Sequence, residues 1–386
     1  MKIIAWYLPQ FHETEENNKW WGKGFTEWTN VKAATKLYND QYQPRVPMGD
    51  NYYNLMEKDT MKWQIELAKR FGIYGFCMYH YWFDGKLLLE KPVEMYLKNK
   101  DLNFPFCLCW TNERWTNSWK EDDPTVLIDQ RYGGEKEWEE HFKYFLEFFK
   151  DSRYIRINGK VLLGIYVPQD IECLNEMLEY WNKRAVECGI GEISYFYQGI
   201  IWNDDENKDD HLFDYEVLLE PAQEMKEIRK REKKGAYRVK SLIPNWAYKV
   251  FRNQLYYLSE KVMQRWNKKK SDYSYEEVWK LLIQRQPNSE KTVPAAFSDW
   301  DNTCRKKERG TYLSNSSPET FEKYFKIYVN EIPEKYKKDF MFFFAWNEWA
   351  EAGYLEPDER NGYKYGDAIH RVLEELNELP SDYNNA

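Results

Sequence analysis

Two glutamates three positions apart, Glu348 and Glu351, stand in the segment Asn347-Glu348-Trp349-Ala350-Glu351, directly after an apolar run that ends in Trp346. Tyr354-Leu355-Glu356-Pro357 follows shortly. Paired carboxylates can divide a proton-transfer task, because mutual repulsion and unequal burial push their pKa values apart. Cleavage of a glycosidic bond needs that division: the leaving oxygen takes a proton while a base or nucleophile serves the other half of the reaction. At i, i+3 in a helical turn the two side chains would be neighbours, about 5–6 Å apart at Cβ. That is closer than two carboxylates that must leave room for a water. The competing reading makes Glu348 structural and Glu351 a charge at a helix N-terminus.

Such a pair needs a scaffold. Short apolar runs recur at 2–8, 75–81, 104–110, 161–167, 193–200, 214–219, 293–297 and 340–346. Several are nearly continuous in apolar residues, as parallel strands buried on both faces are. The segments between them carry helical period: Met61, Ile65 and Ala68; Trp138, Phe142, Phe145 and Phe149; Phe321, Tyr324, Phe325 and Tyr328. Ser317-Pro318-Glu319 reads as an N-cap with Pro in the first helical position. Alternating strand and helix predicts an α/β protein with a parallel sheet. Eight strands over 386 residues fit a (β/α)8 TIM barrel with long βα loops. The expected organisation is one catalytic barrel over 1–378, a frayed tail at 379–386, and a helical subdomain at 221–291 inserted between strands six and seven. Within that insertion 250–268 and 275–285 look helical. A doubly wound open sheet is the alternative, because the stretch between 200 and 214 has no room for a full helix.

In a barrel of this kind the working groups lie just past the C-terminal ends of the strands. Those positions hold Tyr7, Gln10 and His12 after the first run, and Tyr79, His80, Tyr81 and Trp82 at the second. Trp110 and Glu113 follow the third, Glu220 the sixth, and Asp299, Trp300 and Asp301 the seventh. Trp346, Glu348, Glu351 and Glu356 follow the eighth. Glu348 and Glu351 are the catalytic candidates, and Glu113 is the other acid in a position to serve. Tyr7, His12, Tyr79, His80, Trp82, Trp110, Glu113, Glu220, Asp299, Trp300, Trp346 and Glu356 are the candidate substrate contacts. His12 and His80 read as hydrogen-bonding pocket residues, since no carboxylate or histidine lies at metal-ligand spacing. Asp299 and Asp301 could bind sugar hydroxyls or cap their loop.

Composition leaves two uses for the aromatic residues, dense packing of the core and a carbohydrate cleft. Aromatic residues make up 18% of the chain, with 18 Trp and 31 Tyr. Their polar tips need partners, so a cleft of flat rings against sugar faces is a natural use for some of them. A net charge of −8 argues against a general nucleic-acid surface. No apolar run approaches the roughly 20 residues that span a bilayer. The first residues lack the apolar stretch and cleavage site of a signal peptide, which predicts a cytoplasmic location. The basic run 226–240 reads as a solvated helix face, the alternative being a patch for an anionic glycan, a lipid-linked phosphate or a membrane surface. The six cysteines read as reduced thiols, and Cys107 and Cys109 share one face of a strand.

Asn347-Glu348-Trp349-Ala350-Glu351, with Glu356 downstream, resembles the Asn-Glu-Trp-x-Glu signature of family 99 glycoside hydrolases, the endo-α-mannosidases and endo-mannanases. Over most of the chain the closer resemblance is to the WbsX group of family 99-like proteins. These are often named glycosyltransferases and tend to belong to bacterial polysaccharide gene clusters. The segments that carry it are Trp6-Tyr-Leu-Pro-Gln-Phe-His12, residues 21–31, His80-Tyr-Trp-Phe83, Cys109-Trp-Thr-Asn-Glu113 and residues 346–357. The resemblance implies a (β/α)8 barrel and a retaining, endo-acting hydrolase of an oligosaccharide or polysaccharide, with no metal or cofactor. Glu348 would take the proton from the sugar 2-hydroxyl, whose oxygen attacks its own anomeric carbon to give a 1,2-anhydro intermediate. Glu351 would protonate the leaving oxygen and later activate water. Ala350 departs from the Asn-Glu-Trp-His-Glu of the eukaryotic enzymes, so the resemblance leaves the identity of the sugar open. By position alone Glu113, Tyr79, His80, Trp110 and Trp300 would bind the sugar. The WbsX name supplies the alternative, a glycosyltransferase or polysaccharide-assembly protein of a capsule or O-antigen pathway. Asp299-Trp300-Asp301 has the form of the Asp-x-Asp pattern that often holds a metal-bound nucleotide diphosphate, although the chain has no Gly-rich phosphate loop.

Overall fold

Runs such as Phe340-Met-Phe-Phe-Phe344 have no polar face to give to water, so they settle as strands covered on both sides. The computed structural model describes residues 1–117, 125–199, 208–232 and 272–381. Its main strands are β1 (Lys2–Tyr7), β2 (Gly75–Phe83), β3 (Phe106–Trp110), β4 (Lys160–Ile165), β5 (Ile193–Gln198) and β6 (Phe213–Val217). They continue with β7 in two pieces (Thr292–Val293 and Ala295–Phe297) and β8 (Phe340–Phe344). Each pairs in parallel with its neighbour in the chain, and β8 pairs in parallel with β1 through Lys2↔Phe340. The first piece of β7 pairs with β6 through Val217↔Val293, and the second with β8 through Ala295↔Phe342. The interruption falls at Pro294, which has no N–H to donate; its carbonyl still accepts from the Phe342 N–H at 3.0 Å. Counted as separate pieces these are nine strands of a nearly closed barrel. The expected barrel is therefore present, and the open doubly wound sheet is not.

Side chains alternate between the barrel interior and the helical layer. Trp6, Tyr79, Phe196 and Phe342 meet inside, with ring centroids 5.2 Å apart for Trp6–Tyr79 and 5.0 Å for Phe196–Phe342. Gly164 on β4 makes room for them: a Cβ there would stand 2.4 Å from the Phe196 ring and 2.8 Å from the Cys109 sulfur. Cys77, Cys107 and Cys109 are buried free thiols.

The long connection between β1 and β2 carries α1 (Glu15–Trp21), α2 (Glu27–Ala33) and α3 (Lys58–Phe71). Next come α4 (Glu90–Lys98), α5 (Glu135–Phe149), α6 (Leu174–Glu187), α7 (Ala222–Glu232) and α8 (Tyr275–Gln284). The short α9 (Thr303–Lys306), α10 (Pro318–Tyr336) and α11 (Lys364–Glu375) complete the layer. The aromatic and aliphatic stripes read from the sequence in α3, α5 and α10 are all buried. Ser317 caps α10, its side chain accepting from the Thr320 N–H at 3.1 Å. Of the stretch 221–291, α7 and α8 are described; 250–268 and the part of the basic run beyond residue 232 lie outside the described residues. Leu379, placed in the tail by the sequence, packs against the core. Among the described residues no helix is long and apolar enough to cross a membrane.

Candidate active site

Past β8 the chain folds into a small hairpin. Asn347 fastens it to the exit of β1: its Oδ1 accepts from the Leu8 N–H at 2.8 Å and its Nδ2 donates to the Leu8 carbonyl at 3.1 Å. Asn347–Glu348 pairs antiparallel with Gly353–Tyr354, and Trp349–Glu351 between them forms one 3-10 turn. Gly353 has no freedom to carry a side chain, because a Cβ would stand 2.4 Å from the Phe344 ring.

This hairpin brings Glu348 and Glu351 to one cation. Arg305, on α9 beyond β7, places Nη2 3.2 Å from Glu348 and Nη1 3.4 Å from Glu351. The same Nη2 lies 2.7 Å from Glu27, the first residue of α2. Three carboxylates, from the exits of β1 and β8, thus share one guanidinium from the exit of β7. The Glu348 side chain is 7% exposed and that of Glu351 21%. Burial pushes Glu348 up to about 8; Arg305 opposes the rise, while Glu351 and Glu27 add to it. Its Oε1 accepts no well-formed hydrogen bond. Tyr81 borders the cluster. Burial raises its hydroxyl, with Glu348 and Glu27 adding to the effect, and Gln10 Nε2 donates to it at 2.6 Å. Tyr166, just past β4, is raised by burial and then by the charges of Glu113 and Glu351, so those two acids face one tyrosine.

Most of the other predicted contacts lie elsewhere, and strand parity is the reason. Tyr79 and Tyr81 face inward on β2, so His80 and Trp82 face the helical layer. His80 Nε2 meets His141 Nε2 of α5 at 2.8 Å. Trp82 stacks on His141 at 4.4 Å and hydrogen-bonds Glu137. Trp110 packs edge-on against His141 and Trp181. Tyr7 donates to Gln64 of α3 at 2.7 Å, and Trp346 packs on Phe71 and Phe76. These five residues belong to the packing between barrel and helices, which corrects the expectation that they line the cleft.

Three acids are also spoken for. Glu220 pairs with Arg285 at 2.6 Å beside α8. Asp299 forms a buried pair with Arg45 at 2.7 Å and accepts from Ser316. Glu356 accepts from Trp349 Nε1 and Gln64 Nε2, both at 2.6 Å, and from the Tyr53 hydroxyl at 2.8 Å. Trp300 donates to Thr311 at 3.1 Å with its ring against Phe344. His12 is buried at the exit of β1, and burial lowers its imidazole to about 4. Tyr79 stacks on Trp6 inside the barrel, below the mouth. Asp301 accepts from Gln41 and Thr303. Among the described residues no group of three or more His, Cys, Asp or Glu is placed to hold a metal ion.

Glu27, Arg305 and Tyr166 were not among the sequence candidates. Glu27 sits within the motif 21–31, but in a connection so long that no strand end points to it. Arg305 lies a short helix beyond β7, and a lone basic residue there carries no local signal of paired-acid chemistry.

The fold is that of the family 99 glycoside hydrolase barrels. One solved structure, a glycoside hydrolase-like protein, superposes with a TM-score of 0.54 at 12% identity, over 99% of this chain and 94% of that one. The GH99 endo-alpha-mannosidase of Bacteroides thetaiotaomicron, in complex with Bis-Tris propane, superposes with a TM-score of 0.51 at 12% identity, over 98% of this chain and 96% of that one. At such identity the likeness is one of fold. The family described as "Glycosyltransferase WbsX" matches residues 3–369, and the chain belongs to it. The "Uncharacterized protein WxcX" of Xanthomonas campestris pv. campestris, strain B100, is 30% identical over 376 residues, covering 96% of this chain and 49% of that protein. Its counterpart from a second strain matches to the same extent. The chain spans about half the length of the curated relatives it matches.

Proposed function

We propose that the protein is a retaining, endo-acting glycoside hydrolase of a polysaccharide or glycan. The observation that carries this reading is the pair Glu348 and Glu351 on Arg305, at the C-terminal mouth of a barrel with the family 99 fold. Glu348 accepts the proton of the sugar 2-hydroxyl as that oxygen bonds to its own anomeric carbon. Glu351 gives its proton to the departing glycosidic oxygen. In the second half Glu351 takes a proton from water, whose oxygen bonds to the anomeric carbon and opens the 1,2-anhydro ring. Glu348 then returns its proton to O2. Two inversions at the anomeric carbon give net retention.

Burial suits Glu348 to this task. An ordinary carboxylate is a poor base toward a hydroxyl, and lifting its pKa to about 8 narrows the mismatch. Arg305 holds that rise in check and so preserves an ionised fraction near neutrality. Glu351, the more exposed of the two, is on the side that water and leaving group can reach.

The family description favours a second reading, glycosyl transfer. Against it stands the engagement of both Asp299 and Asp301 by protein donors, which ties the Asp-x-Asp segment to its own loop and to the long connection between β1 and β2. Reducing-end release across an oligosaccharide panel, together with calorimetric titration of nucleotide sugars, separates the two. Release that vanishes in Glu351→Gln supports hydrolysis. Saturable nucleotide-sugar binding without release would replace hydrolysis with transfer.

A further inference from the structure

Strand register and side-chain parity set four side chains in one row along the inner wall of the barrel mouth. On β5, Tyr195 and Tyr197 point outward, their hydroxyls donating to the Leu178 carbonyl and to Asp210, both at 3.0 Å. Phe196 points inward against Phe342. Gln198 therefore points inward as well. On β3, Trp110 is outward and Cys109 inward. Thr111 continues the inward face, its N–H donating to the His80 carbonyl at 2.8 Å. The Tyr166 N–H extends the β4 ladder to the Trp110 carbonyl at 2.9 Å. Trp110 pairs with Ile165, and Ile165 with Tyr197. One step further, Thr111, Tyr166 and Gln198 stand side by side, each about 4.8 Å from the next strand. Tyr81 heads the row, because His80 pairs with Trp110.

Charge connects this row to the acids: Tyr81 feels Glu348 and Glu27, and Tyr166 feels Glu113 and Glu351. Two of its members are anomalous. Thr111 is 9% exposed and Gln198 3%. Thr111 Oγ1 and both polar atoms of the Gln198 amide are buried and without a hydrogen-bond partner among the described residues. Buried polar groups are normally paired, and leaving them unpaired costs stability.

We infer that Thr111 and Gln198 bind the hydroxyls of a neutral sugar ring seated along this row. A hydroxyl and a carboxamide offer donors and acceptors together, as adjacent sugar hydroxyls require. Neither side chain is charged, and no member of the row is a cation that could pair with an anionic ring. An acidic or sulfated ring is therefore disfavoured at this position. The inference rests on the carbohydrate reading above and adds to it the residues and the charge class of the bound ring.

The test uses the full chain with Thr111→Val, which is nearly isosteric, and Gln198→Leu. Thermal midpoints are measured without sugar, and kcat and KM on the neutral oligosaccharide that the wild type cleaves best. Each substitution is expected to raise KM about 3- to 10-fold, the worth of one or two hydrogen bonds. The midpoint is expected to stay level or rise, because an unpaired buried group has been removed. A lowered midpoint with unchanged KM would overturn the inference, as would a wild-type preference for uronate-bearing oligosaccharides. If Gln198→Leu does not fold, Thr111→Val decides alone. If the wild type releases no sugar yet its midpoint rises with neutral oligosaccharides, and the variants lose that rise, the row stands and hydrolysis does not. No shift with any sugar overturns both.

Discussion

Glu348 and Glu356 stand on either side of the same hairpin, and both are almost fully buried. Both are lifted well above an ordinary carboxylate by that burial, to about 8 and about 7. Their surroundings otherwise differ. Glu356 accepts from an indole, an amide and a phenol, so both of its oxygens are occupied. Glu348 instead sets its Oε1 3.2 Å from a guanidinium, a charge contact without a well-formed hydrogen bond. A displaced pKa reports burial and is shared by structural and working acids alike. What separates the two is the partner: three neutral donors fill Glu356, whereas Glu348 shares one guanidinium with two other acids at the mouth of the barrel.

The comparison breaks first on catalysis. Glu348→Gln and Glu351→Gln are each expected to lower kcat by about 10²–10⁴-fold with an unchanged circular dichroism spectrum. An unimpaired Glu348→Gln enzyme would make that acid as structural as Glu356. Arg305→Gln is next. Arg305 holds the Glu348 pKa down, so its loss should raise that pKa further and shrink the ionised fraction at pH 7. A pH–rate profile should show the rising limb displaced toward alkaline pH, with activity at pH 7 reduced about tenfold for each unit of displacement. Glu356→Gln sharpens the other side. It sets an amide against donors that want an acceptor, and should destabilise the fold by about 1–3 kcal/mol in denaturant titrations while kcat barely moves.

A smaller effect follows from linkage. Glu348 is neutral in the fold at pH values where the unfolded chain, with its ordinary value of 4.5, has already lost the proton. Between about 4.5 and 8 the folded state thus holds a proton that the unfolded state does not, and this group's contribution to stability falls as pH rises. Melting curves of wild type and Glu348→Gln should diverge in favour of the variant from pH 5 to pH 9. The smallest effect belongs to Trp82→Phe, which keeps the stack on His141. It should cost stability alone and leave KM where it was.

The sequence revealed the barrel through continuous apolar runs, and that same continuity hid which residues face its interior. Trp82 and Trp110 are as buried as their neighbours Tyr81 and Cys109, so no polar–apolar alternation marks the inner face. Choosing aromatics at strand ends therefore selected several that face helices. The glutamate pair was legible because it follows the last strand without a gap. Glu27 and Arg305 were not, since their meeting depends on how a long connection and a short helix fold over the mouth. Thr111 and Gln198 carry no local signal; their meaning appears only when parity and missing partners are read together.

The break in β7 at Pro294 has a mechanical corollary. Arg305 hangs from β7 and its two glutamates from β8, and these staves pair in register over the three residues Ala295–Phe297. The gap between cation and acids is therefore set across one of the shorter welds in the wall, so amide hydrogens along that seam should exchange faster than those between β2 and β3, which pair over five residues. Anything that tightens the seam would bring the charges into firmer alignment from outside the site.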